Sequence, residues 1–163
     1  MLKDGYQTGD VRFVPLSDVK KSKLIDLMNN EGVRRNLPLL TGYFSEKACQ
    51  AFLAKKQEHW IKHGLGPWAF IIRDEFAGWG GLQIEQGEVD VALVLHPKFW
   101  GAGKIIFSKI KDEAFNQMEL DSITALLPPC RSNSKAITRL GFIEEAKVVI
   151  GQETFIRYRL TKS

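Results

Sequence analysis

The stretch from residue 89 to residue 127 constrains the fold most. It opens with an apolar run, residues 89–95 (VDVALVL), stopped by His96-Pro97. A loop with two glycines follows, Lys98-Phe99-Trp100-Gly101-Ala102-Gly103. Residues 104–116 then place Ile106, Phe107, Ile110 and Ala114 on one helical face. Residues 122–127 (SITALL) read as a further strand. A strand, a helix and a second strand in this order form a parallel crossover within one sheet.

The flanking sequence supplies the rest of that sheet. Residues 11–14 form a short strand that Pro15 stops. Ser17 is placed to cap a helix striped by Leu24, Leu27 and Met28. Asn29-Asn30-Glu31-Gly32 ends that helix, and residues 37–44 are irregular. Ser45 caps a second helix that carries Cys49, Phe52, Leu53, Trp60 and Ile61, and Gly64 and Gly66 stop it. Residues 68–73, 76–84 and 89–95 read as an antiparallel meander, with turns at Asp74-Glu75 and Gln86-Gly87. After a short helix over 133–140, closed by Gly141, two strands follow at 142–150 and 153–160. The expectation is one mixed α/β (α+β) domain over residues 1–163, with a mostly antiparallel sheet of about seven strands flanked by helices.

Composition excludes several function classes. At 163 residues, 44% hydrophobic and 26% charged, the chain is an ordinary globular domain that needs no disulfide or metal to fold. Two cysteines, Cys49 and Cys130, make no disulfide framework or CxxC zinc site, and His59, His63 and His96 form no HExxH set. The first ten residues carry no apolar signal region, and no apolar run is long enough to span a membrane, so a cytoplasmic protein is expected. Net charge is +4, with acidic and basic residues mixed along the chain. No basic patch interleaved with aromatics suggests nucleic acid as a partner.

The loop at 98–103 carries chemistry. A helix N-terminus favours negative charge, glycines let a ligand approach the backbone, and Lys104 adds a cation. The alternative is a tight strand-to-helix turn that requires positive φ. The loop is neither a dinucleotide GxGxxG, since residue 106 is Ile, nor a GxxxxGK[ST] phosphate loop.

Two blocks of residues resemble a known family. Residues 90–103 (DVALVLHPKFWGAG) resemble the core of the GNAT superfamily of acyl-CoA-dependent N-acyltransferases. They are most similar to the branch that contains the ribosomal-protein N-terminal acetyltransferases. Lys98 stands where the superfamily's pyrophosphate motif has Gln or Arg. Residues 133–142 (NSKAITRLGF) resemble the same branch's second block, about 30 residues downstream.

The resemblance implies that the strands 89–95 and 122–127 splay apart, helped by Pro97, and that the pantetheine arm of acetyl-CoA lies between them. It implies backbone contacts to the arm from Leu93, Val94 and Leu95, and to the pyrophosphate from Trp100, Gly101, Ala102, Gly103 and Lys104. Asn133 is expected to hydrogen-bond the arm from the other side. Lys135 and Arg139 would either reach the phosphates or form a solvated helix face. Asp90 holds the branch's acidic position, as general base or as a solvent-facing strand residue. The tyrosine that many members use as leaving-group acid is here Ile137, which leaves Ser134 as the nearest hydroxyl and Cys130 as the nearest thiol.

Trp100 is expected to pack under the cofactor, and Trp60, Trp68 and Trp79 in the core. His96 is expected to be structural, and Cys130 to have an ordinary thiol. Acceptor choice is expected in residues 29–44 and the loop at 150–153. The implied activity is acetyl transfer from acetyl-CoA to a primary amine, either a protein N-terminus or a small molecule, by a monomer or homodimer without a metal. The alternative is a non-catalytic acyl-CoA-binding or sensing domain on the same fold.

Overall fold

The structure, a computed structural model, describes residues 5–163. Its centre is one seven-stranded sheet: β1 (Val11–Val14), β2 (Pro67–Ile72), β3 (Glu75–Glu85), β4 (Glu88–Leu95), β5 (Ser122–Leu127), β6 (Ile143–Ile150) and β7 (Glu153–Thr161). The spatial order is β1-β2-β3-β4-β5-β7-β6. Every neighbouring pair is antiparallel except β4 and β5, the parallel crossover expected from the sequence.

Helices cover both faces. On one, α1 (Lys21–Met28), the short α2 (Glu31–Arg34) and α3 (Glu46–His63) enclose a core of Leu24, Leu27, Met28, Val33, Phe44, Cys49 and Trp79. On the other, α4 (Gly103–Asp112) buries Ile106, Phe107 and Ile110 against Phe70, Ile72, Ile123 and Tyr158. Each such side chain contributes roughly 1.5–3 kcal/mol by leaving water. A single π-turn, Glu113–Gln117, continues α4 and buries Ala114 and Phe115. The helix α5 (Arg131–Arg139) adds Ile137 to this second core.

Several local details differ from the sequence reading. Ser17 lies inside a 3-10 turn, Leu16–Asp18, and α1 starts at Lys21 with no side-chain cap. Asn29 ends α1, but Asn30 starts α2 at once, its Oδ1 accepting from the N–H of Gly32 and Val33. The β2–β3 turn sits at Arg73-Asp74, both at positive φ. Ser45 does cap α3, accepting from Ala48 N–H at 3.1 Å.

Between β3 and β4 the chains approach so closely that a Cβ on Gly78 would collide with the carbonyl oxygen of Val94, and one on Gly80 with that of Ala92. These glycines keep β4 tightly paired on its β3 side while its other side opens.

Candidate active site

The site is a gap in the sheet. The β4–β5 ladder contains one residue pair, Asp90 with Thr124, whereas β3–β4 and β5–β7 pair along their lengths. Beyond Asp90 the two strands part, as expected for 89–95 and 122–127.

The closed end of the gap is clamped by Arg159 of β7. Its guanidinium donates to both carboxylate oxygens of Glu88 (3.1 and 2.9 Å), to Glu145 and to Ser122 Oγ (2.7 Å), spanning β4, β5 and β6. These bonds hold the Glu145 carboxyl down at about 2, and hold that of Glu88 below its usual range.

At the point of divergence Asp90 is buried, and Thr124 Oγ1 donates to its Oδ1 at 2.8 Å. The solvent-facing alternative for Asp90 is thereby excluded. Burial pushes its pKa up to about 7; the Thr124 hydrogen bond opposes that rise and Glu85 adds to it. A carboxylate that titrates near neutrality suits proton transfer.

From Asp90 to Leu95 the strand runs roughly 17 Å at ordinary strand rise. His96 N–H donates to Ala77 carbonyl at 2.9 Å. Strand alternation then turns the backbone of Val94 toward β3 and that of Leu93 and Leu95 toward the gap. Val94 therefore does not offer the gap the backbone contact expected of it. Leu95 carbonyl already accepts from the indole N–H of half-exposed Trp100, at 3.0 Å. Trp100 thus covers the end of the open strand edge and leaves Leu93 as its free part.

Past His96 the loop is a 3-10 turn, Pro97–Ala102, that runs into α4. His96 Nδ1 accepts from Lys98 N–H at 3.0 Å, a structural role. The Lys98 ammonium is held by Glu75 at 2.8 Å, so neither donor of Lys98 points to the loop. Gly103 N–H donates to Trp100 carbonyl. Ala102 is buried in the core, and Lys104 is exposed without an ion pair among the described residues. Gly101 and Gly103 are not among the glycines at positive φ. A Cβ on Gly101 would meet Tyr6 no closer than 3.6 Å, and one on Gly103 would meet Leu95 at 3.7 Å. Backbone conformation does not require glycine at either position, which removes the tight-turn explanation.

Across the gap, Asn133 Nδ2 donates to Pro128 carbonyl and to Asn36 Oδ1, each at 3.3 Å, so α5 touches the loop after α2. Ser134 donates its N–H to Cys130 carbonyl, and its hydroxyl has no partner among the described residues. Exposed Cys130 sits at the N-terminus of α5. Its pKa is lowered by the Ser132 hydroxyl, Sγ to Oγ 3.0 Å, and by the first amides of the helix, contrary to the ordinary thiol expected. Ile137 carries no ionisable group and is buried in the core, so no acid acts from that position.

The two segments expected to choose the acceptor meet each other. Arg34 donates to the carbonyls of Leu40 and Gly42 and to Asn29 Oδ1, which also accepts from Phe44 N–H. This fixes the 29–44 segment. Leu39 of that segment lies beside Gly151 of the β6–β7 turn. Of the three tryptophans expected in the core, Trp79 is buried there, on Phe52 at 5.1 Å, whereas Trp60 and Trp68, edge to face at 4.8 Å, are only half-buried and line a cavity beside β1. Thr124, Arg159 and Asn36 escaped the sequence reading. The one available signal was a lone threonine in the apolar run 122–127.

An open, mostly antiparallel sheet parted beside a strand–loop–helix unit defines an acyltransferase-type fold. Residues 10–143 match the acetyltransferase (GNAT) domain, and the chain belongs to that family. Among solved structures it is similar to an acetyltransferase from Agrobacterium tumefaciens (14% identity, 99% of this chain and 96% of that one, TM-score 0.73). It is also similar to a candidate ribosomal-protein-serine acetyltransferase from Vibrio cholerae (15%, 94% of each chain, 0.72). A third is a variant of spermidine N-acetyltransferase from Vibrio cholerae (14%, 94% of each chain, 0.63). At these identities the likeness is one of fold. No curated protein matches the sequence. Among the described residues, no helix is long and apolar enough to cross a membrane, and no three His, Cys, Asp or Glu side chains cluster to hold a metal.

Proposed function

We propose that this chain, acting as one domain in the cytoplasm, transfers the acetyl group of acetyl-CoA to a primary amine. The gap between β4 and β5, joined only at Asp90 and Thr124 and opening toward the Gly101–Gly103 loop, carries this reading. The pantetheine arm would lie along the free edge at Leu93, ending at Leu95, whose carbonyl the Trp100 indole holds. The pyrophosphate would rest on the backbone of residues 101–104, near Lys104, in space that two absent Cβ atoms leave free. Asn133 would face the arm from α5.

The acceptor would enter between the 29–44 segment and the 150–153 turn. Its ammonium gives one proton to the Asp90 carboxylate, and the neutral nitrogen attacks the thioester carbon. The N–C bond forms, the C–S bond breaks, and the sulfur leaves with its electron pair. The second proton from nitrogen goes to that sulfur, with the free Ser134 hydroxyl as the candidate relay; the first passes from Asp90 to solvent. A thioester is already activated, so positioning supplies much of the rate.

The test is a panel of primary amines incubated with acetyl-CoA, with free thiol as readout. Thiol release that requires an amine is expected. A folded chain that binds CoA and releases no thiol with any amine is a binding domain. One that neither binds CoA nor releases thiol overturns the proposal.

A further inference from the structure

Asp90 and Thr124 are the buried polar residues of β4 and β5. Their hydrogen bond lies on the one ladder pair that joins β4 to β5. Thr124 engages Oδ1 of Asp90, and Oδ2 has no partner among the described residues. Every fully shielded side-chain oxygen or nitrogen among those residues has a partner, so Oδ2, which has none, keeps some exposure to solvent. One oxygen is tethered and the other remains available.

We propose that Thr124 is the positioning residue of the base: its hydroxyl donates to Oδ1 of Asp90, fixes the carboxylate plane, and turns Oδ2 toward the acceptor nitrogen. This rests on the acyltransferase reading above. Thr124 does not itself touch either substrate. The proton moves from the ammonium to Oδ2, and the Thr124 proton stays on its own oxygen throughout.

A donor on a carboxylate favours the charged form. Removing it leaves Asp90 with burial and with its charged surroundings. These are Glu85 of β3, Glu88 of β4 held by Arg159 of β7, Glu145 of β6, and Lys56 of α3. The Lys56 ammonium contacts Gln83, the β3 residue paired with Asp90, at 3.0 Å. Glu85 disfavours a charged Asp90, so loss of the Thr124 donor acts in one direction, toward the protonated acid.

The experiment compares Thr124→Val, which keeps the shape and removes the donor, with Thr124→Ser, which keeps the donor. Two readouts are taken on the intact chain: the pH dependence of kcat, and the titration of the Asp90 carboxyl carbon by NMR without substrate. In Thr124→Val the acidic limb and the carboxyl titration should both move up by about one pH unit, so turnover on that limb falls about tenfold. Thr124→Ser should restore both, and Thr124→Val placed on Asp90→Asn should cost nothing further in kcat. KM for acetyl-CoA should change little. If Thr124→Val does not fold, the Thr124→Ser and Thr124→Ala pair makes the same comparison. A wild-type chain active on an amine, with an unmoved limb in the donor-free variant, overturns the role of Thr124 alone. A wild-type chain that turns over no amine overturns the acyltransferase reading and this role with it, whatever the carboxyl titration shows.

Discussion

Arg159 and Glu88 share two hydrogen bonds, at 3.1 and 2.9 Å, two residues before β4 parts from β5 at Asp90. With Glu145 and Ser122 on the same guanidinium, this pair fastens the two halves of the sheet where the ladder is shortest. Arg159→Leu should lower the melting temperature by a few degrees and leave the carboxylates of Glu88 and Glu145 unpaired. The Glu145 pKa is held at about 2, below its ordinary 4.5, so its contribution is present above pH 4.5 and is lost as pH falls toward 2. Because these groups are partly exposed, added salt should weaken the effect. Melts of wild type and Arg159→Leu at pH 7 and pH 3, with and without salt, check this; a gap equally wide at both pH values would show that the carboxylates contribute nothing.

Gly103 is the first residue of α4, in helical φ, with room for a Cβ. Glycine is a poor helix former, so Gly103→Ala should hold or raise stability by about 0.5–1 kcal/mol. If the pyrophosphate rests against this backbone, Gly103→Val should still fold and should bind CoA at least about tenfold more weakly, a cost of about 1.4 kcal/mol. Calorimetric titration with CoA and a melt of the same sample separate the two effects. Unchanged affinity would move the phosphate site away from this loop.

The two thiols should react very differently. Cys49 is fully buried and burial raises its pKa, whereas Cys130 is exposed at the start of α5 with its pKa lowered. A thiol reagent at neutral pH should therefore label Cys130 alone in the native chain. Bound CoA should slow that labelling, because Asn133, one helical turn away, faces the gap in the proposed complex. Mass spectrometry of the labelled peptides decides. Equal labelling of Cys49 would contradict the packing of α3 on the sheet.

Much of this arrangement could be read from residue order alone. The apolar run 89–95, the loop and the striped helix force a parallel crossover, because each piece has a different period and none can bury its face by itself. Ser45 and the Gln86-Gly87 turn announced themselves through side chains that hydrogen-bond or accept positive φ. What escaped was long-range or ambiguous. β7 inserts between β5 and β6, and nothing local in either strand specifies that pairing. The β2–β3 turn fell one residue early because Arg73 takes a positive φ that its side chain does not favour. Thr124 read as an ordinary strand former, since threonine suits a sheet whether or not its hydroxyl has a task. The Trp100 indole on Leu95 joins a loop to a strand edge, a contact that depends on the gap having opened.

Asp90 concentrates the catalytic claim. Burial raises its pKa from an ordinary 3.8 to about 7, so the native chain holds this proton more tightly than the unfolded chain does. Its contribution to stability is fully present below about pH 4 and declines as pH rises to about 7, with no further change above that. Asp90→Asn has no such proton, and its carbonyl can still accept from Thr124. The variant should therefore lose the decline between pH 4 and 7 and should be the more stable of the two at pH 8. As a general base Asp90 should contribute ~10²–10⁴-fold to turnover, and Asp90→Asn should lose that factor together with the acidic limb of the pH profile. CoA affinity should be unchanged, because Asp90 lies at the closed end of the gap, away from the loop. If positioning alone drives transfer, the loss stays under about tenfold, with the amine deprotonating into solvent before attack. Steady-state kinetics across pH, with melts on the same preparations, separates these outcomes: a variant gaining stability at pH 8 while losing turnover identifies a base held at a cost to the fold, whereas one that gains stability and keeps its activity reduces Asp90 to a buried tie between β4 and β5.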